Sequence, residues 1–362
     1  LIRMASPHGM LPLLYWNLNN TCPAQVPKEF LDQLRKHFHA NARHNLVLTA
    51  ELLKLLRVFE SHEIPVVPFK GPVLAASVYG NLALREFGDL DILVRRRDAM
   101  RAKDLLLSFG YRDPRSLSEA QETALRQSGC QYCLVRGDGR VGIDLHWRFT
   151  TASFPFPLGL EDLQDRLVPV DLAGTTVLSL APDDLLLVLC MHGSKHLWTR
   201  LEWICGVAEL VRATPKMKWE QVIEKARKVG GKRMFCIGLL LARDLLRAPL
   251  SDEVCANIES DSAARLIAGR VRKRLFREGG PGGMELWGFR CRVRERWRDR
   301  WPFLMSLAGT LITPNTEDQA FLQLPASLSF LHYLSRPIRL VGSHVIRPLG
   351  RSFSGKLRAK AG

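Results

Sequence analysis

The chain has 362 residues, 46% of them hydrophobic, and 52 lysines and arginines against 36 acids give it a formal charge of +16. That is enough apolar material for two buried cores in two or three packed units, and there is no long low-complexity tract or internal repeat. The positive charge fits a polyanionic partner (nucleotide, nucleic acid or anionic lipid) without choosing among them, and no apolar run reaches the ~20 residues needed to span a bilayer.

In chain order, residues 1–60 read as a helical cap, because Phe30, Leu31, Leu34, Phe38 and then Leu46, Leu48, Leu52, Leu53, Leu55 and Leu56 recur near the helical period. At Pro65-Val66-Val67-Pro68-Phe69 the period changes to a short β-branched strand that enters a turn at Lys70-Gly71. Pro72 suits the first turn of a helix that ends near Gly80. A loop from Asn81 to Gly88, carrying Arg85, precedes a strand over Asp89–Val94, and Asp98 is placed to cap the helix that follows, up to Gly110. Gln131 to Arg136 and Val141 to Phe149 flank Gly137-Asp138-Gly139 as a hairpin. After a Phe154–Pro157 break, a strand at Gly174–Leu178 leads into sequence that is helical by pattern from Ala181 to Ala248. A glycine-rich break at 279–283 sets off a last helical section in which Phe289, Val293, Trp297 and Trp301 recur every fourth residue as an inward stripe, with Glu295 and Asp299 placed to pair with outward arginines. The resulting divisions are 1–60, 61–180, 181–278 and 279–362.

Eight cysteines, scattered in mostly apolar contexts with no secretory signal before them, read as reduced, buried thiols in a cytoplasmic protein. The Cys130/Cys133 pair has zinc-ligand spacing but no second pair to complete a structural site. The chain opens at Leu1, which leaves room for an initiating segment upstream.

Asp89 and Asp91, one residue apart on an apolar strand, project from one face. Asp144, in Gly142-Ile143-Asp144-Leu145-His146-Trp147, brings a third acid on a second apolar strand. Three such carboxylates suit metal-assisted phosphoryl transfer, in which two Mg2+ ions ~3.5–4 Å apart activate a hydroxyl and neutralise a leaving pyrophosphate; Mn2+ is an alternative ion. The Gly71 turn lets backbone N–H groups approach phosphate oxygens at the positive end of a helix. Lys70 reads either as a phosphate contact or as a solvated strand-end lysine, and Arg85 either as a partner of Asp89 or a phosphate or as a structural ion pair. His146 shares the face of Asp144, as a substrate or proton contact or as a hydrogen-bonded core histidine, and Trp147 should pack on the other face. His192 and His196 have i, i+4 spacing but lack the glutamate and third ligand of a zinc site.

The stretches Phe69-Lys70-Gly71-Pro72, Leu74-Ala75, Tyr79, Arg85, Asp89–Val94 and Ile143–Trp147 resemble an uncharacterised nucleotidyltransferase family of the DNA-polymerase-β-like superfamily. His192, Lys195-His196, Trp198, Arg200-Leu201, Trp203 and Ser335-Arg336-Pro337 extend the resemblance over most of the chain. It implies an α+β fold: a minimal nucleotidyltransferase core, a small mixed sheet flanked by helices, with an N-terminal helical cap and a C-terminal mostly helical domain. It also implies that Asp89, Asp91 and Asp144 bind metal, that Gly71 is the phosphate-side glycine, and that Lys195 or Arg200 contacts a triphosphate. Pro72 stands where the wider superfamily has serine or glycine, and Gly206 where the family usually has aspartate.

The expected activity is Mg2+-dependent transfer of a nucleoside monophosphate from an NTP to an unidentified acceptor hydroxyl or phosphate. Exchange of Asp91 for Asn should abolish it and leave folding intact. Two rival readings are a catalytically silent nucleotide-binding or interaction module, and a sequence-independent nucleic-acid binder, the weaker partner assignment.

Overall fold

In the computed structural model, which describes residues 1–115, 117–277 and 282–312, the N-terminal stretch folds as α1 (Ile2–Ala5), α2 (Leu11–Thr21) and the 34-residue α3 (Lys28–Ser61). Leu34, Phe38, Leu48, Leu52, Leu55 and Phe59 are buried along α3 at helical spacing, so its length follows from a continuous apolar stripe.

The central sheet is built from β1 (Val66–Pro68), β2 (Asp89–Val94), β3 (Tyr111–Arg112), β4 (Gln131–Arg136) and β5 (Gly142–His146), in the order β1-β2-β5-β4-β3. Only the β2–β5 pair is parallel. Helix α4 (Gly71–Tyr79) links β1 to β2, α5 (Ala99–Ser108) links β2 to β3, and α6 (Glu119–Ser128) lies between β3 and β4. A short α7 (Leu160–Leu163) precedes a separate hairpin of β6 (Val168–Leu172) and β7 (Thr175–Ser179). Helices α8 (Pro182–Lys195), α9 (Leu201–Ala213), α10 (Trp219–Lys228), α11 (Lys232–Leu246), α12 (Asp252–Glu259) and α13 (Ser262–Arg274) follow, then α14 (Gly283–Arg292) and α15 (Trp297–Ile312). The chain divides after Asp299, and Leu1–Asp299 forms the first compact unit.

Alternation along β2 divides the sheet between two cores. Leu90, Ile92 and Val94 join Ile143, Leu145 and the α3 and α5 side chains on one face, whereas Leu93 joins Val67, Phe69 and the helices from α8 onward on the other. Asp89 and Asp91 share the parity of Leu93, so strand alternation turns both acids toward the α8–α9 side of the first unit. Trp147 packs on the opposite face, its ring 4.8 Å from that of Tyr132.

Several elements differ from the sequence expectation. Helix α6 and strands β3 and β6 were not anticipated; α6 is announced by Ser118 and Gln121, which form a reciprocal capping box. Asp98 stands at the start of α5 but makes no side-chain cap. Cys130, Cys190, Cys205 and Cys236 are buried, while Cys22, Cys133, Cys255 and Cys291 are only partly so, and all eight are free thiols. The stripe from Phe289 to Trp301 is not a single inward face. Helix α14 ends at Arg292 and α15 begins at Trp297, so the helical phase is interrupted. Val293 is buried, but Trp297 and Trp301 are 65% and 54% exposed. Glu295 accepts a hydrogen bond from the Lys232 N–H (3.1 Å) instead of pairing outward. Most of the glycine break at 279–283 and all of Ser335-Arg336-Pro337 lie outside the described residues.

Candidate active site

The turn after β1 delivers Lys70 to the start of α4. Gly71 has a left-handed φ of +54°, and a Cβ placed on it would stand 3.3 Å from the Asp89 carbonyl oxygen. Glycine is therefore required twice over, by backbone conformation and by the close approach of α4 to β2. Gly71→Ala is expected to cost at least about 1–2 kcal/mol, read as a lowered denaturant midpoint at unchanged m-value.

Asp91 on β2 is the register partner of Asp144 on β5, and Asp89 is the partner of Gly142. Ligand atoms of Asp91, Asp144 and His146 all lie within 4.8 Å of one another, a group that could hold a metal ion among the described residues. Asp89 is not one of that group, standing two pairs back at the exposed start of β2; His146 takes the third position instead. The buried Asp91 Oδ1 accepts from Lys70 Nζ at 2.8 Å and lies 3.1 Å from His146 Nε2. The Phe69 ring meets the His146 ring edge-on at 5.3 Å. Gln131, on β4 beside β5, donates from Nε2 to Asp144 Oδ2.

The electrostatics separate the two β2 acids. Burial works to raise the proton affinity of Asp91, but the Lys70 charge and the His146 hydrogen bond outweigh it and hold this carboxyl well below the usual carboxylate range. Asp89, at the exposed start of β2, goes the other way: partial desolvation of its carboxyl first, then the charges of Asp91 and Asp144, push it up to about 6. A carboxyl raised on folding stabilises the fold below its unfolded value, and that contribution is lost as pH rises through the folded value, here between about 4 and 6. Asp89→Asn is therefore expected to raise the metal-free melting temperature at pH 7.5, with the gain fading by pH 5. His192 and His196 shift in the opposite sense, but both proteins carry them, so the difference between variant and wild type reads Asp89.

A cleft of about 850 Å³ opens beside these groups and is lined by Lys70, Arg85, Asp89, Asp91, Asp144 and His146 together with Lys195 and Arg200 from the α8–α9 side. The structure thus brings Lys70, Arg85, Asp89, Asp91, Asp144, His146, Lys195 and Arg200 to one cleft. Arg200 Nε lies 3.2 Å from Glu202 Oε1, leaving Glu202 Oε2 buried without a hydrogen-bond partner. His192 is held well below its usual range, first by burial and then by Lys70, and His196, exposed as a residue, is lowered to about 4 by desolvation of its ring against the cleft wall and then by Lys195, so both are neutral at pH 7. Cys130 and Cys133 are in no metal-binding group among the described residues. Gly206 is buried against Leu189, where an added Cβ would make ordinary contact at 3.8 Å, and it does not line the cleft.

Sequence reasoning missed the residues that hold these groups in place. Asn45, fully buried on α3, donates its amide to the carbonyls of Leu82 (2.7 Å) and Arg85 (2.8 Å), and Asn41 donates to those of Ala83 (3.0 Å) and Arg85 (3.2 Å). These amides pin the loop that presents Arg85 and leads into Asp89. The available signal was an asparagine in line with Leu48, Leu52 and Leu55 on the apolar face of α3. Asn45→Ala takes the side-chain donor from the Leu82 carbonyl and leaves Asn41 as the remaining side-chain donor to that of Arg85, and is expected to destabilise by about 1–2 kcal/mol, measurable by urea unfolding.

A mixed sheet with acids on adjacent parallel strands, entered through a strand–Lys–Gly–helix turn and flanked by helices, defines an α+β protein built on a minimal nucleotidyltransferase core. A family model described as an uncharacterised nucleotidyltransferase matches residues 1–247, and the chain belongs to that family. Comparison with curated proteins gives no match.

Proposed function

We propose that this protein transfers a nucleoside monophosphate from an NTP to an acceptor hydroxyl or phosphate, with divalent cations held by Asp89, Asp91 and Asp144. The observation that supports this most is the pairing of Asp91 with Asp144 across parallel strands, in a cleft that also carries Lys70, Arg85, Lys195 and Arg200. The residues fit a divalent ion: carboxylate oxygens suit hard Mg2+, the imidazole of His146 is tolerated by Mn2+, and the Lys70 ammonium on Asp91 shows that the position attracts positive charge. Such ions, when bound, polarise the phosphoryl group and lower the pKa of an attacking hydroxyl.

The chain's own groups divide the remaining work. Lys195 and Arg200 neutralise the triphosphate, and Lys70 supplies a point charge beside Gly71. Arg85, fixed through its carbonyl by Asn41 and Asn45, does the same from the β2 side. His146 orients Asp91 through its Nε2 and is a positioning residue in this scheme. Residues 61–180 form the core and 181–278 the wall that faces it, with 1–60 as the cap. Eight free thiols suit a reducing, cytoplasmic setting, and among the described residues no helix is long and apolar enough to cross a membrane.

The test is incubation with α-labelled NTPs, Mg2+ and a cell extract. Label on an acceptor with release of pyrophosphate is the expected result. NTP binding without pyrophosphate would favour a silent nucleotide-binding module, and steeply salt-dependent DNA or RNA binding without NTP binding would favour a nucleic-acid binder.

A further inference from the structure

The α8–α9 wall of the cleft carries a feature that the phosphate and metal chemistry leaves unused. His192 on α8 and His196, the residue that caps its C-terminal end, have ring centroids 4.7 Å apart, and Trp203 on the first turn of α9 meets them at 5.5 Å and 5.4 Å. The three rings form a continuous panel that lines the cleft, with His192 and Trp203 half-buried and His196 exposed. Both imidazoles are neutral at pH 7, so the panel is an uncharged aromatic surface among lysines, arginines and carboxylates.

Resting on the nucleotide reading above, we infer that His196 and Trp203 form the stacking platform for the nucleobase of the donor NTP. An NTP has one flat, uncharged part, and such a surface is where it loses least by leaving water. The panel begins at His192, close enough to feel the charges of Lys70 and Asp91, and Lys195 projects from the turn between the two histidines. Phosphates at the acid and lysine cluster and a base on the panel are therefore parts of one contiguous ligand. Stacking reads ring area more than base identity, so purine NTPs should bind more tightly than pyrimidine NTPs.

The test compares ATP with inorganic tripolyphosphate, each titrated calorimetrically with Mg2+ into wild type, His196→Ala and Trp203→Leu. Each variant is expected to bind ATP about tenfold more weakly, the equivalent of about 1.4 kcal/mol, and to bind tripolyphosphate as wild type does. His196 is exposed, so its variant stays interpretable if loss of Trp203 perturbs the α9 packing. Unchanged ATP affinity in His196→Ala and a folded Trp203→Leu would overturn the platform and leave the nucleotide reading standing, as would equal weakening of both ligands. Wild type binding neither ligand would overturn the nucleotide reading and the platform with it.

Discussion

Asp91→Asn is expected to reduce monophosphate transfer by at least about a thousandfold, or about 4 kcal/mol of barrier, and also to destabilise the fold in the absence of divalent metal. The first effect follows from its position at the centre of the cluster, register-paired with Asp144 and hydrogen-bonded to His146. The second follows from burial. Lys70 and Asp91 are 11% and 6% exposed, and removing one charge of a buried pair strands the other. The cost is expected to be about 3 kcal/mol, at the low end for such pairs because Asp89 and Asp144 remain near the ammonium. Thermal unfolding in EDTA measures it, and single-turnover assays well below the variant's melting temperature measure the catalytic loss separately. The sequence alone suggested an intact fold for this variant, because nothing in the run from Glu86 to Val94 reveals that Asp91 is ion-paired to a residue on another segment.

Lys70→Met carries the second large effect. Without its ammonium, Asp91 is a buried carboxylate with His146 as its remaining close partner, and metal-free stability is expected to fall by about 3 kcal/mol. A cation added to the site supplies the missing charge, so Mg2+ or Mn2+ should raise the melting temperature of Lys70→Met by several degrees more than that of wild type. The pH signature has a definite sign. A carboxyl held low in the folded state adds stability above its unfolded value, and that stability is lost as pH falls toward the folded value. Wild type should therefore weaken as pH drops below the ordinary carboxylate range of about 4, and Lys70→Met should show a shallower decline. Equal metal stabilisation of variant and wild type would mean that Lys70 and the cation do not share the Asp91 environment.

The parts of the site legible in the sequence are those fixed by short-range periodicity. Alternation along 89–94 and 142–147 put Asp89, Asp91, Asp144 and His146 on cleft-facing positions and sent Trp147 to the other core, and Lys70-Gly71 marked the turn. The residues that hold the site together were hidden because their partners are far away in sequence. Asn45 acts on Arg85, Lys70 on Asp91 and Gln131 on Asp144, and no local pattern announces such pairs. The placement of His146 ahead of Asp89 in the tightest cluster is not set by register, since the two stand two pairs to either side of the Asp91–Asp144 pair; it follows from the reach of the imidazole, whose Nε2 comes within 3.1 Å of Asp91 Oδ1. At the other end, the period of four from Phe289 to Trp301 misled, because it crosses a helix break where the Arg294 guanidinium packs 3.7 Å from the Phe154 ring centroid.

The most direct measurement is a Mn2+ titration followed by electron paramagnetic resonance in wild type and Asp144→Asn, with and without a non-hydrolysable NTP analogue. Wild type should take up Mn2+ from solution, more tightly when the analogue is present, and the Asn variant should lose most of that uptake. Identical Mn2+ binding by the two proteins would contradict a metal-dependent site built on Asp91 and Asp144.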